Sequence, residues 1–351
     1  MLLPMFLLLI FGLIAIHSLS YNYTGSDFNN FQRQAIFTII SLFFFFLVAL
    51  IDYRVWKNYA NIFYVLSLFL LLLIFIVGKA TNGAVSWFRL GFFNFQPVEF
   101  VKISLILLLA KYFSQIETKT LTWKNIIISF VYAFIPIFLV VLQPDMGSAM
   151  VLLSIWAGLL FLAGLKLRQA TVLIFAGLLA VGLTWTMVLH SYQKQRIISF
   201  LNPARDALGS GYNVIQAMVA IGSGGLGGKG IGNGSQSQLN FIPEKHTDFI
   251  FATIAEESGL IGVFLIILFF LIIFFRMKVV TETARDRFGK LLVSGVLIMI
   301  FFQVVVNMGM NLGVLPVAGL SLPFLSYGGS FLITIMVLMG MIQNVWLKNH
   351  N

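Results

Sequence analysis

Pro243, Glu244, Lys245, His246, Thr247 and Asp248 bring four ionisable side chains to the mouth of an apolar run that continues to Phe275. Charge is scarce elsewhere, with 12 acids in 351 residues. Desolvating charge at a membrane entrance is costly, so a cluster of this kind points to function. Asp248 is the residue best suited to do chemistry. Glu244 and Lys245 are close in sequence, and an aromatic-rich helix follows that would partly desolvate it. Burial and a neighbouring carboxylate both make an acid a better base near neutral pH. The same residue also fits the N-cap of a helix over 249–275, and the two roles are compatible.

Other acids fall at the outer ends of apolar segments. Glu99 and Lys102 are spaced i,i+3 and can pair on one helix face, either at a site or as a buried pair that fixes packing. Asp145 follows Gln143 and Pro144 at a helix start, where a carboxylate can cap free N–H groups. Glu256 and Glu257 lie two turns into the run after Asp248, so at least one should face the interior or a cavity. Cations on the same side, among them Lys102, Arg196, Lys229 and Lys245, could hold a diphosphate or reach lipid headgroups. His246 stands alone, and no two-His spacing exists to support zinc. Gly222, Gly224 and Gly227 mimic a dinucleotide fingerprint, but no strand precedes them.

The elements that must position these groups are helices in a membrane. Hydrophobic residues make up 60% of the chain and charged residues 10%, which is not the mix of a soluble domain. Ten apolar runs recur, at about 1–20, 34–51, 60–77, 99–113, 125–142, 147–164, 170–189, 249–275, 291–312 and 329–347. The fold class is therefore all-α: a polytopic membrane protein of ten transmembrane helices, forming one domain over 1–351. The first run lacks a basic flank and a cleavage pattern, so it reads as a retained helix. With no cysteine, disulfides and thiol catalysis are excluded. The net charge of +10 lies in short loops and suits anionic lipid, not nucleic acid. Lys and Arg are biased so that both termini fall in the cytoplasm.

Inner connections are short, with turns expected over 52–58 and 165–169. One large extracytoplasmic loop, about 190–248, contains aromatic and aliphatic residues and reads as structured. Within it, 212–221 suits a short helix, and the glycines of 222–230 suit a tight path against other backbone. Residues 78–97, with Trp87, Phe88, Phe92, Phe93 and Phe95, suit an interfacial hairpin.

Several blocks together resemble the SEDS proteins (shape, elongation, division and sporulation), and within them the rod-shape elongation branch. The blocks are Asn82-Gly83-Ala84 with Trp87, Gln96-Pro97-Val98-Glu99 with Lys102, Gln143-Pro144-Asp145-Met146-Gly147 and Gln195-Arg196-Ile197. Gly211-Tyr212-Asn213, Ala220 through Gly225, Pro243 through Phe251 and Pro316 through Ser330 continue them. They occur in family order over nearly the whole chain. The resemblance implies a peptidoglycan glycosyltransferase that polymerises lipid II on the outer face of the bacterial plasma membrane. It makes Asp248 the essential carboxylate, with Glu99, Lys102 and Asp145 lining the same cavity. It also implies a class B penicillin-binding protein as partner. Ser86 and Val98 depart from the family's usual Arg and Ser.

The expected reaction is inverting glycosyl transfer with Asp248 as base. Lys102, Arg196 and Lys245 would hold the diphosphate, and Glu244 would stand beside the substrate. No firm metal site is read, although Asp248 with phosphate oxygens suits a divalent cation such as Mg or Mn. The rival readings are a lipid II flippase, which needs charges along a path to the cytoplasm, and a scaffold for the penicillin-binding protein.

Overall fold

In hydrocarbon every backbone N–H and C=O must find a partner within the chain, so long apolar runs become helices. A computed structural model of the chain describes residues 1–20, 26–78, 86–90, 93–116, 120–187, 194, 200 and 210–350. Its helices are α1 (Leu2–Ser20), α2 (Ser26–Leu50), α3 (Tyr53–Val77), α4 (Pro97–Ser114), α5 (Trp123–Leu142), α6 (Met146–Leu162) and α7 (Leu167–Met187). They continue as α8 (Ser210–Ser223), the four-residue α9 (Ser235–Gln238), α10 (Ile250–Thr283), α11 (Arg287–Asn311) and α12 (Gly329–His350). Each of the ten apolar runs falls on one of these helices.

Among the described residues, α1, α3, α5, α10 and α11, and nearly all of α2 and α12, are long and apolar enough to cross a membrane, seven helices in all. The protein is thus a multi-pass membrane protein. Several helices start well before the apolar runs. α3 starts at Tyr53 because Asp52 caps it, accepting from the Arg54 N–H at 2.9 Å, so the turn expected over 52–58 shrinks to its first residues. Hydrogen bonding, not hydropathy, decides where a helix ends.

α4 is the hub. Nearly every side chain from Pro97 to Ala110 is buried, and the helix packs against α3, α6 and α11. α12 lies along α2, where Gly340 lets the helix approach the backbone of Phe45. The expected hairpin is present, with β1 (Phe88–Leu90) antiparallel to β2 (Phe93–Phe95) and Phe88 opposite Phe95.

α10 is broken at Gly259, whose φ of 63° and ψ of −161° lie outside the helical region. The break leaves carbonyls and N–H groups without helical partners, and the glycine-rich loop supplies them. The N–H groups of Lys229 and Gly230 donate to the carbonyls of Glu256 and Glu257, each at 3.0 Å. Those of Leu260 and Ile261 donate back to Gly225 and Leu226. Close approach requires Gly228, which sits at φ 77° with the Glu257 carbonyl against its Cα. The expected tight glycine path is therefore real, and its partner is a broken membrane helix. The expected helix over 212–221 is α8, which packs on α10 through Ala217 and Ala220.

Gly228→Ala is expected to lower stability by about 1–3 kcal/mol, since alanine would adopt a left-handed backbone against a carbonyl. Thermal unfolding of the detergent-solubilised protein reads this; an unchanged Tm would show that the loop does not lock the break.

Candidate active site

Asp248 stands in a turn just before α10, and Phe249 occupies the N-cap position. Its own carbonyl is the anchored group. The side-chain amides of Asn307 and Asn311 on α11 both donate to it, each at 3.0 Å. Asn307 also donates to the Leu320 carbonyl, and the Asn311 oxygen accepts from the Ala252 N–H at 3.2 Å. Two residues spaced i,i+4 thus fix the turn and satisfy an orphan donor in the first turn of α10.

A loop after α11 clasps the same turn from the other side. The Ser326 hydroxyl donates to the Thr247 carbonyl at 2.7 Å, and the Tyr327 N–H donates to the His246 carbonyl at 2.8 Å. Gly319, at φ 67°, lies beside the carboxylate: a Cβ there would stand 3.7 Å from Asp248 Oδ2.

These elements enclose a cavity of about 530 Å³. Glu99, Lys102, Asp145, Glu244 and Asp248 all line it, so five of the seven residues chosen from the sequence meet at one place. Glu99 and Lys102 form an ion pair of 2.6 Å, 3% and 1% exposed. The ammonium also lies 5.6 Å from the centre of the Phe331 ring, close enough for a cation–π contact. Glu99 Oε2 has no hydrogen-bond partner among the described residues. Asp145 both caps α6 and lines the cavity. Its Oδ1 accepts from the Ser148 N–H at 3.0 Å, and its Oδ2 accepts from the Ser148 hydroxyl and from Gln96. Ser86, Trp87 and Gln303 belong to the wall as well.

Lys245 departs from its expected role. It is buried, and its ammonium donates to the Ser237 carbonyl at 3.0 Å, so it ties the loop to itself and is not on the cavity wall. Arg196 lies outside the described residues. Both Glu256 and Glu257 face the interior, as the sequence implied for at least one of them. Glu256 takes Lys229 at 2.8 Å and the N–H groups of Gln236 and Ser237, which makes it an external cap for α9. Glu257 accepts from the Ser18 hydroxyl of α1 at 2.8 Å and from the Gly232 N–H. Lys229 is thus committed to a carboxylate and is not on the cavity wall.

Sequence reasoning missed Asn307, Asn311 and Gln303. The signal was available: three polar amides at a spacing of four on one face of an apolar helix. Chemically, the site offers a carboxylate at a turn held from two sides, a buried ion pair and a capped aspartate around one chamber. That set can accept a proton from a hydroxyl and hold a polar ligand.

Asn311→Ala would leave the Ala252 N–H unpaired and halve the support of the Asp248 carbonyl. It is expected to cost about 1–3 kcal/mol of stability, read by chemical denaturation in detergent. A change below about 0.5 kcal/mol would show the amide to be idle.

Comparison with known proteins sets this geometry in context. The profile of the FtsW, RodA and SpoVE family, described as cell cycle protein, matches residues 1–351. The peptidoglycan glycosyltransferase MrdB of Escherichia coli is 36% identical over 98% of this chain and 92% of its own. The stage V sporulation protein E of Bacillus subtilis is 35% identical over 97% of this chain and 94% of its own. Among solved structures, a chain from a peptidoglycan synthase complex that coordinates polymerization and crosslinking superposes with a TM-score of 0.84 at 31% identity. It covers 99% of this chain and 97% of that one. The rod shape determining protein RodA of Thermus thermophilus superposes at 0.74 with 28% identity, over 99% and 96% of the two chains. The chain belongs to the FtsW, RodA and SpoVE family of cell cycle proteins.

Proposed function

We infer that this chain is a peptidoglycan glycosyltransferase of the SEDS type, which polymerises lipid II with Asp248 as general base. The observation that carries the reading is the meeting of Asp248, Glu244, Asp145 and the Glu99–Lys102 pair on one cavity. The relatives named above supply the substrate class, since MrdB is named for acting on peptidoglycan.

The chemistry asked of such a site is modest in kind. A sugar hydroxyl attacks an anomeric carbon that bears a lipid diphosphate, and the C–O bond to the phosphate breaks with inversion. The hydroxyl proton passes to the Asp248 carboxylate. The departing diphosphate is already an anion, so it needs electrostatic stabilisation more than protonation. Lys102 is the described cation on the wall, and Arg196 is proposed to add a second from the long loop. Glu99 pairs with Lys102 and holds it in place inside the protein.

A divalent cation, Mg or Mn, fits this donor set under one condition. Among the described residues no three His, Asp or Glu side chains stand close enough together to hold a metal ion, so Asp248 would need substrate phosphate oxygens to help hold one. The ion would then neutralise charge on the diphosphate.

The proposed setting is the plasma membrane of a bacterium, with ten spans, both termini cytoplasmic and the cavity opening outward. All the buried acids and lysines among the described residues, Glu99, Lys102, Lys245, Glu256 and Glu257, cluster at the end of the bundle that holds the cavity. A flippase would need such groups along a path to the other end, so the clustering favours a polymerase. A class B penicillin-binding protein as partner, and a role in elongation and rod shape, complete the proposal.

Asp248→Asn is expected to lower polymerisation of lipid II by the purified protein with its partner by about 10²–10⁴-fold, with folding preserved. Retention of near wild-type rate would overturn the assignment. Adding EDTA and then restoring Mg or Mn in the same assay tests the cation: loss and recovery of rate are expected, and indifference to EDTA removes it.

A further inference from the structure

Gln303 is 1% exposed, lines the cavity, and its Oε1 has no hydrogen-bond partner among the described residues. It belongs to the stripe Gln303, Asn307, Asn311 on α11. The two asparagines one and two turns along spend their amides on the Asp248 turn. The glutamine does nothing comparable. A buried polar atom without a partner is costly and rare in a native fold, and one whose residue lines a cavity is a place where a ligand can supply the partner.

A second atom has the same property. Glu99 Oε2 is buried, partnerless among the described residues, and belongs to the same wall, while its sister oxygen is taken by Lys102. Both orphan atoms are acceptors. The ligand surface that meets them must therefore offer hydrogen-bond donors, which a phosphate ester does not. A sugar offers them as hydroxyls, and an amino sugar acylated at nitrogen offers an amide N–H as well. A carboxamide suits the latter, because it presents an acceptor and a donor in one plane and can pair reciprocally with an amide. A carboxylate suits a hydroxyl, whose hydrogen bond it strengthens by charge.

We propose that Gln303 is a specificity-determining residue that accepts the N–H of an acetamido substituent on the substrate sugar, with Glu99 Oε2 accepting a neighbouring hydroxyl. The proposal rests on the glycosyltransferase reading and divides the chamber by chemistry. Gln303 and Glu99 Oε2 read the sugar, and Lys102, paired with the other Glu99 oxygen at 2.6 Å, meets the diphosphate where the sugar joins it. Sites that hydrogen-bond a substrate group reject the analogue that lacks it, because their own buried polar atom is then left unpaired.

The test uses full-length protein with its partner and three substrates: lipid II, and two analogues with a 2-azido group in place of the acetamido group on one sugar or the other. For the wild type, one analogue is expected to lose on the order of 10- to 100-fold in kcat/KM. Gln303→Leu should accept that analogue and lipid II within about threefold of each other, because the group that told them apart is gone. The same variant should have an equal or higher Tm, since it removes a buried polar group that has no partner. Gln303→Met serves as a second variant with the same expectations. Full discrimination in both variants, equal losses on all substrates, or a lowered Tm in both would overturn the proposal. Ligand-induced shifts in Tm with the same three substrates read the discrimination without turnover. If the wild type binds but does not polymerise, the glycosyltransferase reading fails while the role of Gln303 is still decided.

Discussion

The carbonyl of Asp248 is the point at which the candidate site is fastened to the helix bundle. A chain that turns from a loop into a membrane helix exposes backbone groups where water cannot serve them, and each must be paired from within. Asn307 and Asn311 pair them here, and by doing so they fix the residue whose side chain enters the cavity. Ser326 and Tyr327 hold the preceding carbonyls from the opposite side. The turn is thus held by α11 and by the loop that leads to α12, together with its own bonds from the Thr247 and Phe249 N–H groups to the Glu244 carbonyl. Preorganisation of this kind would place the proposed base before substrate arrives, which is where most of a site's advantage lies.

The same constraint explains the break in α10. A helix interrupted inside a membrane exposes carbonyls and N–H groups, and the glycine loop 225–230 closes them as a strand would. Glu256 and Glu257, just before the break, reach out to α9 and to Ser18 of α1. These two acids therefore fasten the segment over 229–238 to the bundle. Lys229 and Lys245 serve the same fastening. Charge at this end of the protein divides into a layer that holds the loop and a layer that lines the chamber.

Much of this was legible in the sequence for physical reasons. Apolar runs of twenty residues leave one backbone solution, so the helices followed directly, although capping by Asp52 moved one start by several residues. Glu99 with Lys102, Asp145 and Asp248 stood out because charge is expensive where they lie. Lys245 lies off the cavity wall, bonded to the Ser237 carbonyl, because sequence proximity to Asp248 says nothing about direction: neighbouring residues in a turn point to different sides. The break at Gly259 was invisible because a glycine in an apolar run is common, and its meaning depends on a loop thirty residues away. Asn307, Asn311 and Gln303 were readable from their spacing, yet their partners are backbone atoms that no side-chain pattern announces.

The central claim is that the acceptor hydroxyl of the substrate meets the Asp248 carboxylate. A structure of the protein with a non-reactive lipid II analogue in the cavity tests it most directly. The account predicts the attacking sugar oxygen within about 2.6–3.2 Å of an Asp248 carboxylate oxygen, with Lys102 on the diphosphate side. An acceptor oxygen seated on Glu99 or Asp145 instead, with Asp248 turned away from both sugars, would contradict it.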